Sequence, residues 1–347
     1  MENFRSLHRI AGKAIPLLFL GIAFLWVSSL TAQDNHYEFI TMDTTEQYKS
    51  TYFCRTLNYY WDQGVADRQG NIHFVFVDAY KLYLHSSNDG GQTWVEQQIV
   101  TGMEGHIYSA MLGLTRDDRK VICFSTNPGF NNGTVGYASE FTYDLYGAVE
   151  VEDDWEITPL SIHSGNNGLL PYGIITIKQG TVHCIMYKYG WYNYGGELYE
   201  AIYDPSENAW SELNTIRVFD DRGVDNSTHY VGKMAEGREN EIVLVYQRNG
   251  SISGKYNVEV VMKQEDGWQE PQVLLENSHY STYNRFDIDY DRQGSTYLGY
   301  FEPWGENGPQ MYLACNSISE FEMYEIFEPA DTLIKMCFHP YMDGTCY

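Results

Sequence analysis

The chain has 347 residues, with 47 acidic against 22 basic side chains, a net charge of −25 and 30 tyrosines. Phosphate backbones are bound by basic surfaces, so this charge argues against nucleic acid as a partner. The length is enough to bury a large core in a single repeat-built domain.

Arg5, Arg9 and Lys13 precede an apolar run from Ala14 to Leu30, and Leu30, Thr31 and Ala32 supply small residues before Gln33. This order predicts a signal peptide over 1–32 and a single domain over 33–347. Losing Glu2, Arg5, Arg9 and Lys13 with the leader deepens the charge to −27. The apolar run is about seventeen residues, short for a span, and nothing comparable follows, so no membrane span is expected after cleavage. No cysteine follows the run to carry a lipid. The predicted location is secreted or periplasmic, and the predicted state is monomeric.

From residue 67 onward the organising signal is a recurrent unit, which decides the fold ahead of local propensity. Polar turns read DRQGN (67–71), RDDRK (116–120), IKQGT (177–181), GRENE (237–241) and DRQGS (291–295). Each leads into an apolar run: IHFVFV, VICFS, TVHCIMY, EIVLVY and STYLGYF. Taking Ile72, Val121, Val182, Ile242 and Thr296 as equivalent starts gives spacings of 49, 61, 60 and 54 residues. Later in each unit an aromatic opens a further strand, in turn Trp94, Trp155, Trp210, Trp268 and Phe321. Val, Ile, Tyr and Phe runs between Gly, Asn and Asp turns predict strands throughout, with no helical periodicity after the leader. The fold class is all-β: a β-propeller with five four-stranded blades. The C-terminal stretch 333–347 begins a sixth, left incomplete or completed by an N-terminal strand over 36–42, since open sheet edges invite aggregation.

Cys123, Cys184 and Cys315 lie inside strand-like runs and read as small core hydrophobes. Cys337 and Cys346 flank a turn at Asp343 and Gly344 and can pair across a hairpin, although one sequence does not show connectivity.

Ser87-Asn88-Asp89-Gly90-Gly91-Gln92-Thr93-Trp94 fits the pattern S-x-D-x-G-x-T-W. It resembles the Asp-box, or bacterial neuraminidase repeat, of sialidase-like propellers, with degenerate echoes spread over residues 57 to 328. The resemblance implies a turn between the third and fourth strands of a blade. An Asp side chain holds turn amides and glycine tolerates positive φ, so Asp89 reads as structural.

Functional groups in a propeller are sought where the innermost strands begin. The segments there are 55–62, 105–109, 162–168, 226–232 and 277–287, and four of them hold a histidine: His106, His163, His229 and His279. Tyr108, Tyr230 and Tyr280 follow three of these. Histidines converging on one axis supply acid or base groups near neutral pH. Arg55 and Arg285 suit a carboxylate, and Tyr59, Tyr60 and Tyr283 offer stacking faces for sugar rings. The plainer alternative is that repeated His and Tyr satisfy backbone amides at each blade. His73 and His183 lie within second strands and read as core residues. No metal-binding spacing appears, and no cofactor is expected.

The resemblance to sialidases stops short of their Phe/Tyr-Arg-Ile-Pro motif and three-arginine cluster: Tyr-Asn-Arg at 283–285 lacks the Ile-Pro. The broader neuraminidase-repeat group includes polysaccharide lyases and glycosidases. Resemblance to it implies a poly- or oligosaccharide partner, with His229, His279, Tyr230, Tyr283 and Arg285 as catalytic candidates. Arg55, Tyr59, Tyr60, His106, Tyr108 and His163 would then bind substrate. The competing expectation is a propeller that binds glycan or protein without catalysis.

Overall fold

The computed structural model describes residues 64–78, 80–100, 103, 105–127, 144–152, 154–162, 167–190, 197–218, 230–236, 241–249, 251–252, 255–279, 286–290, 296–305, 308–316 and 321–327. All of them belong to the compact unit Tyr48–Tyr347. The leader, the cysteines at 54, 337 and 346, and the stretches proposed to form a sixth blade lie outside these residues.

Every regular element among the described residues is a strand. The first sheet is β1 (Gly64–Ala66), β2 (Ile72–Asp78), β3 (Lys81–Ser87) and β4 (Val95–Val100). The second is β5 (His106–Leu114), β6 (Lys120–Asn127), β7 (Asp144–Val151) and β8 (Asp154–Ser161). The third holds β9 (Asn167–Thr176), β10 (Val182–Gly190) and β11 (Glu197–Asp204), with an outer strand in two pieces, β12 (Ala209–Trp210) and β13 (Asn214–Val218). The fourth repeats that plan with β14 (Tyr230–Glu236), β15 (Ile242–Asn249), β16 (Lys255–Gln264), β17 (Gly267–Trp268) and β18 (Gln272–His279). The fifth is β19 (Phe286–Tyr290), β20 (Thr296–Gly305), β21 (Gly308–Asn316) and β22 (Phe321–Phe327). Each is an antiparallel meander in chain order, and each aromatic marker sits at the start of the outermost strand, as the repeat predicts.

The five sheets stack face to face in sequence. Their first strands meet in turn, β5 against β9, β9 against β14 and β14 against β19, while β2 meets β5. Side chains alternate across a strand, so a second strand sandwiched between two sheets must be apolar on both faces. On β6, Ile122 and Phe124 join a core with Val75, Val77, Leu82 and Leu84 of the first sheet. The intervening Cys123 instead packs with Cys184, Met186 and Ala201 of the third. On β10 and β15 the pattern continues: Ile185 and Tyr187 meet Leu244 and Tyr246, and Val243 and Val245 meet Leu298 and Tyr300. Cys123 and Cys184 are fully buried free thiols, as their strand positions predict.

Glycines on one sheet admit large side chains from the next. A Cβ on Gly147 of β7 would lie 2.3 Å from the Trp210 ring, and one on Gly173 of β9 would lie 2.8 Å from Met234. The turns between first and second strands also link neighbours. Arg68 Nε donates to Asp118 at 2.9 Å, and Lys178 N donates to Glu236 at 2.5 Å.

Asp89 organises the turn between β3 and β4. Its Oδ1 accepts from Thr93 N at 2.9 Å and from the Ser87 hydroxyl at 2.8 Å, and its Oδ2 accepts from the Thr93 hydroxyl at 2.6 Å. Ser87 Oγ accepts from Gly91 N at 2.7 Å, and Trp94 Nε1 donates to Gly91 O at 3.0 Å. Gly90 and Gly91 take φ of 72° and 90°, where a side chain would be strained.

Two outcomes follow. Gly147→Ala forces the new methyl into the Trp210 ring and is expected to cost about 1–3 kcal/mol, read as a lowered midpoint in thermal unfolding. Thr93 and Ser87 hydrogen bonds hold Asp89 down at about 2 from its ordinary 3.8. Its contribution is therefore complete above pH 3.8 and disappears as pH falls through about 2. Asp89→Asn is expected to lower the neutral-pH melting temperature and to shrink its fall over that acid range.

Candidate functional site

In a four-stranded meander, successive connections alternate between the two ends of the sheet. The lead-ins to the first strands and the links between second and third strands share one end, the mouth. The turns from first to second and from third to fourth strands share the other, the base. The base turns are short and closed by their own hydrogen bonds: Asp67 Oδ1 accepts from Gln69 N at 2.9 Å and Asn71 N at 2.8 Å, and the Thr115 and Ile177 amides reach Arg119 and Thr181 carbonyls. Little at that end is left for a ligand.

Second strands run from base to mouth, and two of them, β6 and β15, turn polar as they approach it. After Val121–Phe124, β6 ends Ser125, Thr126, Asn127; after Ile242–Tyr246, β15 ends Gln247, Arg248, Asn249. Four of these positions are buried: Ser125, Thr126 and Gln247 are 0% exposed, and Asn127 4%. The Ser125 and Thr126 hydroxyls and the Gln247 amide oxygen have no hydrogen-bond partner among the described residues. Buried polar atoms ordinarily find partners, so this is where the fold keeps hydrogen-bonding capacity in reserve.

His106 opens β5 and is buried beside them. Its ring stacks on Tyr80, from the β2–β3 link, at 4.1 Å between centroids and 59° between planes. Burial pulls its pKa below the ordinary 6.5, so the imidazole is neutral at pH 7, with one nitrogen free of a proton. Such a ring is competent as a base or as a hydroxyl acceptor.

The other predicted residues separate. Tyr108 is two residues along β5 from His106, and Tyr230 opens β14. His279 ends the outer strand β18, in register with Lys255, so it sits on a different kind of strand from His106. Arg55, Tyr59, Tyr60, His163, His229, Tyr283 and Arg285 lie outside the described residues. His73 and His183 are buried as the second-strand pattern predicts; His73 meets Ser86 Oγ at 2.8 Å and Asp67 Oδ2 at 3.2 Å.

Two mouth-end groups escaped the sequence reading. Gln247 Nε2 donates to the Tyr300 hydroxyl at 3.1 Å, and Ser278 Oγ donates to Tyr256 O at 3.0 Å, one residue before His279. Across the β10–β11 pair, Lys188 Nζ donates to Glu197 at 2.8 Å and the Tyr199 hydroxyl donates to the same oxygen. Burial first, then the Glu197 charge, pushes Tyr199 up to about 12, so it stays a proton donor. The alternation of Glu197 and Tyr199 opposite Lys188 was the available signal; it falls on a third strand, away from the lead-ins.

Among the described residues no three His, Cys, Asp or Glu converge as a metal site, and no helix is long and apolar enough to cross a membrane.

No family model and no curated relative matches the sequence. Solved structures do resemble the fold. The polysaccharide lyase Uly1 superposes with a TM-score of 0.52 at 11% identity, over 81% of this chain and 74% of its own. The NanB sialidase of Streptococcus pneumoniae gives 0.50 at 12% identity, over 78% and 61%. An α-L-arabinanase of Penicillium chrysogenum gives 0.49 at 14% identity, over 78% and 82%. At these identities the likeness speaks for the fold: the chain is an all-β protein of propeller architecture.

Tyr80 is the group that desolvates one face of His106. Tyr80→Ala is expected to move the His106 pKa back up toward 6.5, followed through its ring proton shifts in an NMR titration.

Proposed function

We propose that this chain is an exported carbohydrate-active propeller that binds a poly- or oligosaccharide at its mouth end and acts as a polysaccharide lyase or glycoside hydrolase. The observation that supports it most is the grading of β6 and β15 from apolar to buried polar toward the mouth, where the neutral His106 packs against Tyr80. The propeller neighbours that act on sugars, a polysaccharide lyase and a sialidase among them, favour the same class.

In the lyase form, His229 or His279 takes the proton beside a uronate carboxylate, and Arg285 neutralises that carboxylate so that the developing carbanion costs less. The electron pair forms the new double bond as the glycosidic oxygen departs, and Tyr230 or Tyr283 protonates it. Arg55, Tyr59, Tyr60, His106, Tyr108 and His163 bind and orient the sugar. A sialidase is disfavoured because the sequence lacks that family's arginine motif. The chain's negative charge repels a polyanionic glycan at long range, but screening beyond about 8 Å leaves a local arginine free to act, and a lightly charged glycan is the easier substrate.

A panel of uronate-containing and neutral glycans tests this, read by the ultraviolet absorbance of unsaturated uronate and by release of reducing ends. Turnover is expected, reduced about 100-fold or more by His229→Ala or His279→Ala. Turnover that survives both substitutions removes the assigned bases. Binding by calorimetry without turnover puts the chain among non-catalytic glycan binders, and neither binding nor turnover removes the carbohydrate reading.

A further inference from the structure

The seams between neighbouring sheets are not chemically alike. Three carboxylate residues are buried among the described residues, Glu200 (0% exposed), Glu259 (1%) and Glu236 (5%), and all three lie between the third and fourth sheets. Glu200, on β11, accepts from His183 Nδ1 at 2.7 Å within its own sheet. Across the seam it accepts from Lys263 Nζ at 2.8 and 2.7 Å and from Trp268 Nε1 at 3.2 Å. Glu259, on β16, accepts from the Tyr246 hydroxyl at 2.8 Å, and Arg248 Nε sits 2.6 Å from its other oxygen as an ion pair. Glu236 accepts the Lys178 amide from the third sheet.

The other seams differ. The cores joining the first sheet to the second, and the second to the third, are apolar, and the fourth and fifth are tied near the mouth by neutral Gln247 and Tyr300. We propose that the seam between the third and fourth sheets is the acid-sensitive joint of the stack, where the sheets part first when the buried Glu200 carboxylate is protonated.

A carboxylate only accepts, so His183 Nδ1 carries a proton, while its Nε2 meets the Thr181 hydroxyl at 3.0 Å. The charged and titratable groups facing Glu200 are His183 on β10 and Lys263 on β16; Tyr246 and Arg248 face Glu259, and Arg217 reaches Glu270 at 3.3 Å. Burial alone would raise the Glu200 pKa, but His183 and Lys263 hold it below the ordinary 4.5. Its stabilising contribution is thus complete above pH 4.5 and is lost as pH falls through the lower folded value. Protonation then leaves Lys263 charged, desolvated and without its counter-ion, which costs more than the lost bond. Asp67 and Asp89 also titrate in acid, but they hold single turns at the base, where loss of a bond stays local.

Pulse hydrogen exchange at one fixed labelling pH, after incubation at about pH 3 to 5 or at neutral pH, tests the proposal. Peptides of β10, β11, β15 and β16 are expected to exchange about tenfold faster after acid incubation, while β6 and β7 stay protected. Glu200→Gln keeps the shape, leaves Lys263 unpaired and is expected to open the seam at neutral pH. E200L/K263M is expected to keep it closed through the acid range. Trp268→Phe removes one neutral donor and should move the opening to higher pH, which reads the seam even where E200Q does not fold. Exchange that begins in β6 and β7, an acid step unchanged in E200L/K263M, or no shift in Trp268→Phe overturns the proposal.

Discussion

The structure depends on the double burial of the second strands. A strand with sheets on both sides has no solvent face, so each of its residues is assigned to one neighbour or the other by parity alone. On β6 the assignment runs Ile122 and Phe124 to one side and Cys123 to the other, and β10 and β15 repeat it. This fixes register strongly, because a slip of one residue would exchange every partner. It also joins neighbouring sheets face to face with no strand-to-strand ladder between them. The close approach that this requires is visible at Gly147, where the absence of a side chain admits the Trp210 ring.

The same geometry separates stability from function along one strand. Near the base, β6 and β15 spend their length on Val, Ile, Leu and Cys, and the base turns close on themselves through Asp67, Thr115 and Asp89. Near the mouth the packing requirement relaxes, and Ser125, Thr126, Gln247 and His106 appear in its place. A polar atom buried without a partner costs stability. The Ser125 and Thr126 hydroxyls and the Gln247 amide oxygen are such atoms at the mouth ends of β6 and β15, where the fold gives up stability to keep hydrogen-bonding capacity.

The repeat was legible in the sequence because its signals are local. Polar turns, apolar runs and aromatic markers depend on backbone conformation and on burial from both sides, and neither needs knowledge of distant residues. Thus β2, β6, β10, β15 and β20 start within a residue of the predicted positions, and Asp89 turns out to hold its own turn. The candidate site was less legible because it depends on where a strand begins relative to its sheet. His106 and His279 look equivalent by distance from the next apolar run, yet one opens an inner strand and the other ends an outer one. Tyr80 comes from a link in the preceding sheet, and nothing in its local sequence points at His106. Pairing between sheets is set by stacking, which leaves no spacing rule in the chain.

Buried charge follows a different logic from buried hydrophobes. An apolar seam tolerates small shifts, because dispersion and hydrophobic contact are not directional. A seam built on Glu200 and Glu259 does not, since Glu200 is held by donors at fixed distances from both its own sheet and the neighbour, and Glu259 by Tyr246 and Arg248 of its own sheet. Replacing such a network with apolar residues is often neutral or stabilising, whereas breaking one member is costly. The charges between the third and fourth sheets are therefore better understood as a device for one specific alignment than as a source of stability. That alignment sets the relation between the inner strands β9 and β14. Where packing alone would allow neighbouring sheets to slide, the buried ion pairs hold one register across the middle of the stack.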